Sequence, residues 1–206
     1  ISSLKYSKFF SYHRIQDHVK EIPKEAFKKC SLMNSLIIPT SVCSIGYYAF
    51  YNCTSLKQII IPPSVSSIEN YTFCQCSMLE EVIIPSSVVT IGMGAFSKCT
   101  SLKEINIPSS VTTIGNYTFN QCYSLEQIIL PSSLTSIKWG FFNECKSLKK
   151  VEIPFSVTSI ESHAFEKCSS LTKIVIPSSV ISIGDNLLSG CSSLEIFSIP
   201  LFVTSI

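Results

Sequence analysis

Residues 102–122 read LKEINIPSSVTTIGNYTFNQC, and this stretch is one turn of a pattern that fills the chain. The cysteine that closes it, Cys122, has a counterpart every 23 residues: Cys30, Cys53, Cys76, Cys99, Cys145, Cys168 and Cys191. Its proline, Pro108, repeats at the same interval as Pro39, Pro62, Pro85, Pro131, Pro154, Pro177 and Pro200. Two residue types held to one period over most of the chain identify a tandem-repeat solenoid. One repeat cannot bury its own apolar face; stacked repeats can.

With Leu102 as position 1, units begin at Phe10, Met33, Leu56, Leu79, Leu102, Leu125, Leu148 and Leu171, and a partial unit begins at Leu194. Position 13 is isoleucine throughout, from Ile22 through Ile114 to Ile206. Position 18 runs Phe27, Phe50, Phe73, Phe96, Phe119, Phe142 and Phe165, then Leu188. Apolar residues at positions 4 and 6 around a variable position 5 have the period of a strand with one buried face. Proline at position 7 lacks an amide donor and ends that strand. Positions 10 to 13 predict a second short strand or extended turn, as in Val111-Thr112-Thr113-Ile114. Gly46, Gly92, Gly115 and Gly184 follow position 13 and suit a turn with positive φ. The segment through Ala49-Phe50 or Ala95-Phe96 to the cysteine predicts a single helical or 3₁₀ turn. The expected fold is thus a β-rich repeat solenoid with short helical turns. The whole of 1–206 forms one domain: cap and degenerate first repeat over 1–32, seven regular repeats over 33–193, and a truncated repeat over 194–206. His13 at position 4 and Gln16 at the proline position mark the first repeat as degenerate. A start without methionine and an end in mid-unit, at Thr204-Ser205-Ile206, predict that more solenoid or a cap follows.

The pattern resembles the BspA-type leucine-rich repeats, whose signature is Leu-x-x-Ile-x-Ile-Pro-x-Ser-Val-Thr-x-Ile-Gly-x-x-Ala-Phe-x-x-Cys. Leu102, Ile105, Ile107, Pro108, Ser110, Val111, Thr112, Ile114, Gly115, Phe119 and Cys122 match it, with Thr118 in place of its alanine. The resemblance covers about residues 10–206. It implies a curved right-handed coil with a parallel sheet on the concave side. It also implies a cell-surface or secreted protein that binds other proteins or cells through that sheet.

Composition narrows the function classes. A net charge of +2, from 16 basic and 14 acidic residues, argues against nucleic acid or an anionic membrane as the main partner. No run of about 18 apolar residues is present to span a bilayer. The serines at position 9, such as Ser64, Ser87 and Ser110, recur with the repeat, which marks them as structural, bonded to turn backbone. No nucleophile elbow, phosphate loop or convincing histidine–carboxylate pair is legible, so no enzyme is expected. No cofactor and no metal are expected either: ligand pairs sit a few residues apart, whereas these cysteines are 23 apart and His13, His18 and His163 are scattered. The ladder cysteines read as buried apolar fillers. Cys43 and Cys74 lie off the ladder and are expected to be exposed and reactive. Abundant unpaired thiols favour a reducing compartment, which pulls against a surface location.

The candidate binding surface is the outward face of the first strand. Position 5 offers Ile37, Ile60, Ile83 and Ile129, with Glu152 among them; position 3 offers Glu81 and Glu104, then Lys150 and Lys173. An aliphatic stripe with acidic residues in the middle and basic residues towards the C-terminus fits a protein partner. Isoleucine there also satisfies strand preference alone, and both readings stand. Phe155 and Leu201 break the Ser/Thr rule at position 8. The aromatics Tyr47, Tyr48, Tyr71, Tyr117 and Trp139 share one turn, where packing over the core edge is favoured over a second contact surface. Asn52, Asn70 and Asn116 open glycosylation triplets. Two other readings remain: an intracellular scaffold within a larger protein, and self-association through solenoid edges.

Overall fold

A computed structural model describes residues 12–201 and residue 203. The expectations for residues 1–9, Phe10 and Thr204-Ser205-Ile206 lie outside the described residues. Each coil contributes a three-residue strand and a two-residue strand. The first series is Tyr12–Arg14, Ser35–Ile37, Gln58–Ile60, Glu81–Ile83, Glu104–Asn106, Gln127–Ile129, Lys150–Glu152, Lys173–Val175 and Ile196–Ser198. The second is Glu21–Ile22, Ser44–Ile45, Ser67–Ile68, Thr90–Ile91, Thr113–Ile114, Ser136–Ile137, Ser159–Ile160 and Ser182–Ile183. All pairing is parallel and in repeat register, Gln58 with Glu81 and Gln127 with Lys150, so like positions stack. Position 4 points inward and positions 3 and 5 outward in strand after strand.

The stacking turns columns into core. The described isoleucines of position 13 are all buried. The phenylalanine rings from Phe27 to Phe165 form one continuous stack, with neighbouring centroids 5.2 to 5.8 Å apart. Leu188 continues the column half-buried.

The expected helical turn is absent. Among the described residues the segment from position 14 to the cysteine is a run of turns. Its amides alternate: Ala49, Tyr51 and Cys53 donate to carbonyls three residues back, while Tyr48, Phe50 and Asn52 donate to Asn70, Thr72 and Cys74 of the next coil. A helix needs every amide along its own axis, and here half are committed to the solenoid axis. Two residues per coil take a left-handed conformation, those at positions 16 and 20; Tyr48 and Asn52 have φ of 57° and 58°. A non-glycine residue adopts that conformation at a cost of roughly 1–2 kcal/mol, which the stacked hydrogen bonds offset.

The glycines after position 13 owe their place to something other than φ. Gly46, Gly92, Gly115 and Gly184 are not in the left-handed region. A Cβ on Gly115 would lie 2.5 Å from the Met93 amide nitrogen of the coil behind. The glycine is there because two backbones approach. Where position 14 carries a side chain the consequence is visible. The second-strand series is interrupted between Ser44–Ile45 and Ser67–Ile68, and between Thr113–Ile114 and Ser136–Ile137. Those junctions precede Glu69 and Lys138. The second also precedes Phe141, which takes the place that Ala49, Ala95 and Ala164 hold in other coils and is itself fully buried, 4.7 Å from the Phe142 ring. Glu161 sits at the same position without a break, its carboxylate bonded to Lys138 Nζ and the Trp139 amide behind it.

The ladder cysteines do more than fill space. From Cys53 to Cys191 each thiol donates to the position 18 carbonyl of the coil behind: Cys53 Sγ to the Phe27 oxygen at 3.0 Å, Cys122 Sγ to the Phe96 oxygen at 3.2 Å. Burial pushes the thiols from Cys76 to Cys191 up, Cys122 to about 12, so they stay protonated donors. The position 9 serines act in parallel, Ser87 Oγ donating to the Val65 oxygen at 2.7 Å and Ser110 Oγ to the Val88 oxygen at 2.7 Å.

Candidate binding surface

The outward face of the three-residue strands gathers the residues that the repeat leaves variable. Ile37, Ile60, Ile83 and Ile129 are all exposed, Ile129 the most at 77%. The row is interrupted by Asn106 and Glu152, both exposed. Beside it, Glu81 and Glu104 occupy one half, and Lys150 and Lys173 the other. Lys150 and Glu152 form an ion pair within one strand, and the Lys150 hydrogen bond and charge hold the Glu152 carboxyl below the usual carboxylate range. Glu104 accepts a hydrogen bond from Gln127 Nε2 at 3.2 Å. Neither Glu81 nor Glu104 has an ion-pair partner among the described residues. Phe155 is 72% exposed, between Ser132 and Ser178 in its column.

Two features of this face escaped the reading of the sequence. The sheet divides: Tyr12–Arg14 to Glu81–Ile83 form a four-stranded sheet and Glu104–Asn106 to Ile196–Ser198 a five-stranded one. A groove of about 600 Å3 lies at the division, lined by Glu80, Glu81, Ile83, Glu104, Asn106 and Ile129. Nothing in the repeat pattern marks that junction. The other feature was legible. Position 2 reads Lys57, Glu80, Lys103, Glu126, Lys149, alternating in sign from coil to coil. Parallel register places unlike charges beside each other, and Lys149 Nζ lies 2.7 Å from Glu126 Oε2. The Lys149 hydrogen bond and charge hold Glu126 below its usual range. A one-coil slip would set like charges side by side, so the column favours the native stacking order.

The cysteines off the ladder separate. Cys43 is exposed as expected, but Cys74 is buried. Burial pushes the Cys74 thiol up to about 11, against the pull of Lys98 and a hydrogen bond with Ser97. Position 19 faces inward at that coil, which the sequence pattern does not mark. No disulfide joins any two of the ten cysteines, and no group of three or more metal-ligating side chains converges among the described residues. Ellman's reagent is therefore expected to modify Cys43 promptly in native protein and the ladder cysteines only after denaturation. Rapid native reaction of five or more thiols would contradict the burial of the ladder.

Of the turn aromatics, Tyr48, Tyr71 and Tyr117 pack against neighbouring coils, while Tyr47 and Trp139 stay exposed. Tyr48 and Tyr71 stack at 5.0 Å, and the Tyr71 ring covers Gly94 so closely that a Cβ there would lie 2.5 Å from it. Asn70 and Asn116 are poor glycosylation acceptors in the folded chain, since Thr72 and Thr118 are buried with hydroxyls bonded to the Glu69 and Gly115 carbonyls. One histidine–carboxylate pair does form: His163 Nδ1 lies 2.8 Å from Glu166 Oε2, which also accepts from Asn143 Nδ2. Burial raises the Glu166 carboxyl, but the His163 hydrogen bond and Lys167 together hold it below its usual range. The two residues are three apart in sequence, and His163 has left-handed backbone, with φ of 59°. At the far end of the described chain, Ile196, Phe197, Ile199 and Leu201 are exposed on the last coil.

Comparison with known proteins agrees with this geometry. The family profile described as "BspA type Leucine rich repeat region (6 copies)" matches residues 2–126 and 112–206. A leucine-rich repeat protein from Bacteroides ovatus is 34% identical and superposes with a TM-score of 0.90, over 94% of this chain and 52% of that one. This chain thus spans about half the length of that protein. The T. pallidum leucine-rich repeat protein is 26% identical with a TM-score of 0.72, over 90% of this chain and 78% of that one. A leucine-rich repeat protein from Eubacterium ventriosum, 17% identical with a TM-score of 0.61 over 97% of this chain and 87% of that one, shares the fold. Curated proteins supply no match. No helix among the described residues is long and apolar enough to cross a membrane. A 23-residue repeat of this register, matched along nearly its whole length, places the chain in the BspA-type leucine-rich repeat family.

Proposed function

We propose that this chain is a non-catalytic protein-binding module of a cell-surface or secreted protein, and that it grips its partner with the face of the three-residue strands. The observation that carries the reading is the row Ile37, Ile60, Ile83 and Ile129, aliphatic side chains held out to solvent, the first three on the four-stranded sheet and Ile129 on the five-stranded one. Contiguous exposed apolar surface marks interaction sites in soluble proteins. Glu81 and Glu104 on one side of its centre and Lys150 and Lys173 on the other give the face a polarity that orients a partner of opposite charge order. The groove at the sheet division offers an anchor pocket beside Ile83 and Ile129.

The thiols do not argue against an oxidising compartment. Ladder cysteines that are buried, protonated and hydrogen-bonded to carbonyls are poor nucleophiles. Exposed Cys43 is the exception. The intracellular scaffold reading therefore loses the feature that favoured it.

The test is direct binding to a panel of purified extracellular and matrix proteins, with the unmodified chain beside Ile60→Lys/Ile83→Lys. Both positions are exposed, so the double variant is expected to fold and melt like the parent. Affinity for any bound partner is expected to fall by about tenfold or more, since each 1.4 kcal/mol lost is a factor of ten. Equal binding by a folded double variant would remove the strand face from the function.

A further inference from the structure

Two long side chains, and two glycines between them, shape a second depression on the face of the two-residue strands. Position 14 carries Glu69 and Lys138 in the coils that begin at Leu56 and Leu125, and glycine, Gly92 and Gly115, in the coils between. The floor drops where the side chains are missing. The result is a trough of about 420 Å3 that runs over five successive coils from Tyr47 to Lys138.

The middle of the trough is polar; Tyr47 lines one end, and Trp139 stands beside Lys138 just outside the lining at the other. Asn70, Thr90, Thr113 and Asn116 line it. Asn70 Oδ1 accepts the Met93 amide at 2.8 Å, which fixes that side chain and leaves its NH2 group as a donor. Thr90 and Thr113 are exposed. Tyr47 closes one end, 47% exposed. At the other, Trp139 adjoins Lys138 and follows Asn116 in the same column. Its ring is held edgewise by Tyr117 at 4.8 Å and by His163 at 5.6 Å, yet stays 39% exposed. A ring held by two neighbours and still partly exposed loses little freedom when a ligand packs on it.

We propose that this trough binds a linear oligosaccharide. Tyr47 and Trp139 are its stacking platforms, and Asn70, Thr90, Thr113 and Asn116 bond its hydroxyl or acetamido groups. Aromatic faces take the C–H face of a pyranose ring, and amides and hydroxyls match its equatorial hydroxyls as both donors and acceptors. The lining isoleucines Ile68, Ile91 and Ile114 are buried beneath the floor, so an apolar peptide would meet only Met93 and Tyr47 as accessible apolar side chains. The platforms stand four coils apart, about 19 Å at the spacing of parallel strands, which suits a chain of sugar units rather than a single one. The site lies on a different face from the isoleucine row and does not depend on that reading.

Trp139 is the only tryptophan in the chain, so its fluorescence reports this trough alone. The experiment is titration with short fragments of chitin, cellulose, starch and hyaluronan, followed by Trp139 emission and checked by calorimetry. Three variants accompany it: Tyr47→Ala, Thr113→Lys, which fills the trough from an exposed position, and Ile60→Lys/Ile83→Lys on the other face. At least one fragment is expected to shift the emission. Its affinity should fall about tenfold in the first two variants, the loss of roughly 1.4 kcal/mol, and stay unchanged in the third. Failure of every fragment to bind, or binding that survives both trough variants, would overturn the proposal. So would a random peptide pool that binds with the same sensitivity while no sugar does.

Discussion

Raising the pH from about 9 to about 11 is expected to unfold this protein cooperatively. The cause is the thiol ladder. Cys76, Cys99, Cys122 and Cys145 are fully buried, and burial pushes each thiol above its ordinary value of 9.0, Cys122 to about 12. A thiol with a raised value in the folded chain stabilises fully below the unfolded value, and that contribution drains away as pH climbs towards the folded value. At about pH 11 an unfolded thiol is ionised and the buried Cys122 thiol is not, which costs the fold about 3 kcal/mol at that site. Cys76, Cys99 and Cys145 are pushed in the same direction by burial, so their contributions drain away over the same climb in pH, against a whole-domain stability of only about 5–15 kcal/mol. Burial also raises Tyr71, Tyr117 and Tyr123, which adds to the loss. Circular dichroism during an alkaline titration measures the midpoint. The variant Cys99→Ala/Cys122→Ala should unfold at higher pH than the parent, although it is less stable near neutrality. A spectrum unchanged to pH 12 would show that the ladder thiols do not control stability.

Phe96→Ala should cost about 3–5 kcal/mol, the range for a large buried aromatic replaced by alanine. Phe96 is fully buried in the middle of the stack, with Phe73 at 5.6 Å on one side and Phe119 at 5.8 Å on the other. The neighbouring coils cannot collapse into the gap, because Phe96 N still bonds the Thr118 carbonyl and Cys122 Sγ the Phe96 carbonyl, which hold the coil spacing fixed. The cavity therefore persists and its full cost is felt. Stability in a solenoid is a sum of repeat and nearest-neighbour terms, so the loss should open the chain at this coil first. Urea denaturation of Phe96→Ala beside Ile129→Ala makes the comparison, since the exposed isoleucine should change stability by no more than about 0.5 kcal/mol. A cost below about 1 kcal/mol for Phe96→Ala would mean that the phenylalanine column does not carry the core.

The repeat made most of the fold readable. A column of one residue type at a fixed interval can satisfy burial only if identical coils stack, and the Ile68, Phe73 and Cys76 columns left no other arrangement. Position 5 was readable as outward because it alternates with buried positions 4 and 6 on a strand. What escaped the sequence came from contacts between coils. Tyr48 and Asn52 take left-handed backbone within a turn whose amides alternate between their own coil and the next. Gly115 is a glycine because another backbone passes 2.5 Å from where its Cβ would be. Cys74 is buried although it is off the cysteine ladder.

The candidate surfaces divide in the same way. The aliphatic row Ile37, Ile60, Ile83 and Ile129 and its charged flanks follow from the sequence alone, since strand alternation dictates which side chains reach solvent. The groove between Glu81–Ile83 and Glu104–Asn106, and the trough between Tyr47 and Lys138, follow only from the tertiary structure. Both arise where one coil fits imperfectly on the next or where a glycine lowers the floor, and such mismatches belong to pairs of coils. A periodic sequence specifies the average coil. The departures from that average, which make a surface specific, are settled by how each coil packs against its two neighbours.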